Sequence, residues 1–122
     1  MRAERVNCHV KLANVLFARG LAKRLASDGI VAHAVHPGVV ATNFINHADE
    51  SIQAYIRTLE AQSPEQGADT LIWLATAEEP GKSSGGYFHE RKPRTPNPLV
   101  NDEACVERLW QESEKLVAKA GV

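Results

Sequence analysis

The sequence is short of most features that announce a function at a glance. Only two cysteines occur in 122 residues, Cys8 and Cys105, far apart and outside any Cys-x-x-Cys spacing. There is therefore no disulfide framework and no paired-thiolate motif, and free thiols in a reducing cytoplasm are expected. Neither charge sign is in excess: fourteen Lys and Arg face fifteen Asp and Glu, a formal net charge of −1. That balance offers no field for nucleic acid or for an acidic membrane, which want a clustered basic surplus. No apolar run approaches the roughly 18 residues of a membrane helix. The longest, Leu12 to Ala18, is interrupted by Asn14 and closed by Arg19. The opening Met1 to His9 is charged and lacks an apolar core, so no secretory signal is expected. Repeats and low-complexity tracts are absent. So is any G-x-x-x-G-x-G or G-x-G-x-x-G string of the kind that cradles a dinucleotide phosphate.

What is present reads as one α/β domain. The length allows one unit only, and the 43% hydrophobic fraction suits a soluble globular chain. From Val10 to Ala26, Leu12, Ala13, Leu16, Phe17, Leu21 and Leu25 recur at three- and four-residue steps, which predicts an amphipathic helix. Gly29 is placed to end it in a left-handed conformation, while Gly20 is an oddity inside it, costing about 1 kcal/mol against Ala. Ile30 to Val35 is a short apolar run without alternation, as in a strand covered on both faces. A second helix is expected from about Glu50 to Ala61. Ser63-Pro64-Glu65-Gln66 spells a capping box for a third, with Ala68, Leu71, Ile72 and Ala75 as its expected buried face. Tyr87-Phe88 reads as a second short strand. A last helix from about Asp102 to Lys119 carries Val106, Leu109, Trp110, Ser113 and Val117 on one side. Two strands make a poor sheet by themselves, so this order suggests part of a larger α/β fold.

Chemistry is expected at the end of the first strand, because open α/β sheets bind ligands outside the carboxyl ends of their strands. There the chain reads His36-Pro37-Gly38-Val39-Val40-Ala41-Thr42-Asn43. Proline stiffens the exit, glycine admits a ligand to the backbone, and Thr42 and Asn43 supply polar groups. Five histidines, with Cys8 beside His9, raise the question of a metal. His33 and His36 lie three apart on a strand and so face opposite sides, and no helical H-x-x-x-H occurs, so no metal site is expected. Trp110 is read as core.

The segment Asn7-Cys8-His9-Val10-Lys11-Leu12-Ala13-Asn14 resembles the active-site helix of the short-chain dehydrogenases/reductases, which a Tyr-x-x-x-Lys pair opens. It is most similar to the retinol-dehydrogenase-like branch. Val35 to Thr42 resembles that family's Pro-Gly-x-x-x-Thr segment. Ser63 to Ala68, Ser84 to Phe88 and Glu107 to Ser113 match its later elements in order, so the likeness runs from about Asn7 to Val117. The resemblance implies the C-terminal portion of a Rossmann-type doubly wound parallel sheet, with about two strands and four helices over residues 1–122. It implies NAD or NADP as cofactor and a small alcohol or carbonyl as substrate. Lys11 would hold the ribose hydroxyls and lower the pKa of a neighbouring phenol. Pro37, Gly38 and Val39 would offer backbone groups to the nicotinamide carboxamide, and Thr42 would bond the same end.

Departures from the family pattern matter as much. Asn7 stands where the family has its proton-donating Tyr, Val10 where a Ser commonly precedes the Lys, and Gly20 where the branch carries Glu. The glycine-rich turn, the first five strands and the catalytic Ser, which make up the family's N-terminal half, have no counterpart in these residues. An amide has no usable acidity near neutral pH, and a positioned acid or base contributes roughly 10²–10⁴-fold. The isolated chain is expected to be inactive. Two further readings stand beside it: a non-enzymatic module that self-associates or binds a partner, and one half of a split enzyme completed by a separate N-terminal half.

Overall fold

The computed structural model describes residues 3–40 and 43–122, apart from the side chains of residues 3, 4, 7, 44 and 45. Among the described residues four α-helices accompany a three-stranded sheet: α1 Ala3–Leu25, β1 Ala34–Val35, α2 Glu50–Arg57, α3 Pro64–Thr76, β2 Tyr87–His89, β3 Lys92–Pro93 and α4 Glu103–Lys119. Short 3₁₀ turns fill the joins, among them Pro98–Asn101.

The sheet differs from the two parallel strands expected. Its order is β1-β2-β3, with β1 parallel to β2 and β2 antiparallel to β3, so it is small and mixed. The third strand comes from a hairpin whose two turn residues, Glu90 and Arg91, both take positive φ (51° and 62°). A two-residue hairpin wants that geometry but normally announces it with Asn or Gly, so Glu-Arg gives no signal. Arg91 is held in place by Asp69 of α3, through Nε and Nη2 at 2.8 and 2.7 Å, and its backbone N–H donates to Thr70 Oγ1 at 3.2 Å. The first strand is also shorter than the run Ile30 to Val35. Its ladder is limited by the three residues of β2, although backbone bonds extend it slightly: Gly85 N–H to the Ala32 carbonyl, and His36 N–H to that of Phe88, both 2.7 Å.

Helix α1 begins earlier than its apolar pattern, and α2 stops at Arg57 rather than near Ala61. Helix α3 has the capping box its sequence spells, with Ser63 Oγ accepting from Gln66 N–H and Gln66 Oε1 from Ser63 N–H. Its inward face, however, is not the one expected. Gly67 and Thr70 are buried, while Leu71 and Ile72 are 52% and 60% exposed. The face is set by close approach and by a hydrogen bond, Gly67 against Val40 and Thr70 under the hairpin, so apolarity alone points one residue wrong.

The main core lies where α1 crosses α4. Leu16, Val100 and Val106 form its centre, with Leu12, Val15, Cys105 and Leu109 packed around. Val100, only 1% exposed, comes from the proline-flanked 3₁₀ turn. Gly20 is no longer odd here. A Cβ on it would lie 3.3 Å from the Trp110 ring and 3.4 Å from Val106, so the missing side chain lets α4 approach. The indole stacks on Phe17 at 5.3 Å, and the Arg24 guanidinium lies 4.1 Å from its ring centre. Arg24 in turn pairs with Glu107 at 2.7 Å.

Candidate functional site

Helix α1 and strand β1 form the two walls of one open groove of about 950 Å³. At one end stand Lys11 and Asn14, one helical turn apart and both exposed, opposite Pro37 and Gly38 at the strand exit. At the other end Phe17, Leu21 and Val31 make the lining apolar. The fold thus brings Lys11, Pro37 and Gly38, 26 and more residues apart in sequence, onto one surface. Asn7 lies one turn before Lys11 on the same helix, and its side chain is outside the described residues, as is Thr42.

Gly38 has φ 79°, a left-handed conformation that glycine adopts without the strain another residue meets. A Cβ there would face His89 Cε1 at 3.5 Å and Gln62 Oε1 at 3.7 Å. Val39 does not line the groove. Its carbonyl accepts from Gln62 N–H at 2.8 Å, which spends one of its two backbone groups.

The histidines sort by strand face. His33 meets Phe88, while His36 meets Tyr87 and His89, the alternate residues of β2. His33 Nδ1 accepts from Gly86 N–H at 3.0 Å, which fixes the tautomer so that Nε2 donates to the Pro80 carbonyl at 2.8 Å. Both nitrogens are occupied, so this ring is structural. His89 Nδ1 donates to the His36 carbonyl at 2.9 Å, leaving Nε2 toward Glu90 at 3.6 Å. Burial, followed by the Arg94 charge and that of His89, lowers the His36 pKa below the ordinary imidazole value. Its ring lies on the wall shared by the main groove and a second cavity of about 140 Å³, lined also by Gln62, Thr70 and His89. Among the described residues no three His, Cys, Asp or Glu side chains are grouped to hold a metal ion.

Several of these residues escape a sequence reading. Gln62, His89 and Leu71 line the two cavities although the sequence marks none of them as a site residue. Asp69 and Arg91 are 22 residues apart, with nothing in the sequence to pair them.

No protein-family model matches the chain, and no solved structure matches it. Curated proteins do. Retinol dehydrogenase 13 of Homo sapiens is 38% identical over 117 residues, 90% of this chain and 35% of that protein. Retinol dehydrogenase 12 of Homo sapiens is 39% identical over 116 residues, again 90% and 35%. Dehydrogenase/reductase SDR family member 13 of Homo sapiens is 34% identical over 116 residues, 92% and 31%. The chain spans about a third of the length of the curated relatives it matches. Over about nine tenths of its length the chain matches a C-terminal fragment of the short-chain dehydrogenases/reductases, an oxidoreductase family, in their retinol-dehydrogenase-like branch.

Proposed function

We propose that this chain forms one wall of an NAD(P)-dependent oxidoreductase site for a small alcohol or carbonyl, and that it is inactive when isolated. The observation carrying the reading is the shared groove: Lys11, Pro37 and Gly38 line it together. Its polar end fits the nicotinamide and its ribose. The Lys11 ammonium is solvent-facing and is a three-donor cation suited to ribose hydroxyls. Gly38 leaves the backbone approachable beside it. When bound, the nicotinamide supplies or accepts the hydride.

Nothing in these 122 residues fits the pyrophosphate, since no glycine-rich turn occurs. The proton step is unsupported too. Asn7 can hydrogen-bond a carbonyl but cannot release or take a proton near neutral pH. Two platforms are thus needed from elsewhere, phosphate binding and an acid. Lys11 would hold the ribose hydroxyls and orient the nicotinamide, but by itself it supplies neither the phosphate platform nor a proton. Cys8 and Cys105 are both free thiols. No helix among the described residues is long and apolar enough to cross a membrane.

Titration calorimetry with NADH and with NADPH tests the reading. The isolated chain should show no saturable binding below millimolar concentration. Asn7→Tyr with Val10→Ser should not create turnover, because the phosphate platform is still missing. Activity that appears only on adding an N-terminal part of a relative would support the split-enzyme version. Micromolar binding by the chain alone would overturn the inactive reading.

A further inference from the structure

The exit of strand β1 is held by a side chain where a sheet would use a backbone. His36 N–H donates to the Phe88 carbonyl at 2.7 Å, as the parallel pairing of β1 with β2 requires. In a parallel ladder the carbonyl of that same residue next meets the N–H two positions further along the partner, here that of Glu90. Glu90 has already left the ladder, with φ 51°, to open the hairpin. The His36 carbonyl accepts instead from His89 Nδ1 at 2.9 Å. The imidazole thus stands in for the ladder donor that the hairpin removes.

The same ring reaches the turn a second time, with Cε1 3.5 Å from where a Cβ on Gly38 would lie. Beyond Gly38, the Val39 carbonyl is fixed by Gln62 N–H at 2.8 Å. Pro37, whose φ its own ring sets, and Gly38 are therefore tethered on both sides. Gly38 N–H and C=O take no partner among the described residues. Both residues line the groove that Lys11 also lines.

We propose that His89 is a positioning residue, which holds the Pro37-Gly38 turn in the conformation that receives the nicotinamide end of the cofactor. It touches no reacting atom and acts through the His36 carbonyl. A turn ordered beforehand costs nothing to order when the ligand arrives. Without the imidazole donor, that part-buried carbonyl loses its partner and the turn is tethered at one end only. The proposal rests on the NAD(P) reading above, and adds to it a residue that no site motif marks.

Nicotinamide mononucleotide is the probe, because it carries the nicotinamide and its ribose without a pyrophosphate. Titrated at millimolar concentration into the ¹⁵N-labelled chain, it should shift the Gly38 amide resonance. His89→Leu should raise its dissociation constant about tenfold, the worth of one hydrogen bond. His89→Asn, whose amide nitrogen falls where Nδ1 lies, should stay within about twofold of the parent. A role in packing alone would reverse that order, since Leu fills more of the space than Asn, and would overturn the proposal. In mildly alkaline buffer the side-chain ¹⁵N shifts of the parent should show Nδ1 protonated and Nε2 bare. Protonation at Nε2 alone overturns the proposal, and this measurement decides the matter if circular dichroism shows His89→Leu unfolded. Equal affinity of His89→Leu and the parent also overturns it, and leaves the NAD(P) reading standing. A parent whose Gly38 amide ignores the mononucleotide overturns that reading, and the proposal with it.

Discussion

A methyl group at position 67 would have nowhere to go. Built on Gly67, its carbon lies 2.6 Å from Val40 Cγ2 and 3.0 Å from Cγ1. Alanine would gain about 1 kcal/mol of helix propensity, but overpacking of this kind costs about 1–3 kcal/mol. Gly67→Ala is therefore expected to lower the urea midpoint, and Val40→Ala in the same chain to recover most of the loss. An additive double mutant would disprove that contact. His36 sets a different balance. Its folded pKa lies below the ordinary value of about 6.5, first through burial and then through Arg94 and His89. The unfolded chain thus takes up a proton more readily. Stability is unaffected by this group above about 6.5 and declines as pH falls from there through the folded value. The urea midpoint should drop as pH falls below about 6.5, and His36→Gln should flatten that part of the profile. Asp69, its pKa lowered by the Arg91 hydrogen bond, and Glu107, lowered by that of Arg24, add losses of the same sign at more acidic pH.

Among the elements, the β2–β3 hairpin has the greatest local conflict. Two non-glycine residues with positive φ cost about 1–2 kcal/mol each, and the Asp69 and Thr70 bonds to Arg91 help to offset this, together with the β2–β3 pairing. Glu90→Gly should raise the thermal midpoint, by an amount corresponding to about 1 kcal/mol. Asp69→Asn should speed exchange of the Arg94 amide, which bonds the Tyr87 carbonyl at 2.8 Å. A hairpin indifferent to Asp69 would mean that strand pairing alone fixes the turn. This is also the element the sequence concealed. Helices were legible because caps and periodicity are local: the Ser63 box, Asp102 before α4 and Gly29 after α1 stand where their chemistry requires. The third strand was not, since Arg91 holds its shape through Asp69 of α3, 22 residues away in the chain. The burial of α3 failed for the same kind of reason, as Gly67 and Thr70 are chosen for what touches them rather than for apolarity.

In the whole molecule, two packed regions are visible. One is the α1–α4 core with Val100, and the other is the sheet with α3 over Phe88, through Trp73 at 5.7 Å. Arg19 joins them, its Nε donating to the Gly85 carbonyl at 2.8 Å and its Nη1 to Asn101 Oδ1 at 3.3 Å. Arg19→Ala should therefore separate the two into distinct unfolding steps, seen as a broadened calorimetric transition; a single sharp transition at a lower midpoint would show them still coupled. At this scale the site was legible only in part. Lys11 and Pro37-Gly38 were readable from motif spacing, but the groove joining them depends on how α1 lies along β1, which no local pattern encodes.

The placement of the two tryptophans gives each region its own optical reporter. The Trp110 ring lies between Phe17 and a guanidinium, and its buried Nε1 has no hydrogen-bond partner among the described residues. An indole in such surroundings emits to the blue and shifts red once water reaches it. Trp73, half-buried on Phe88, follows the sheet instead. With Trp73→Phe in one sample and Trp110→Phe in another, the colour of the emitted light distinguishes which half of the chain opens first.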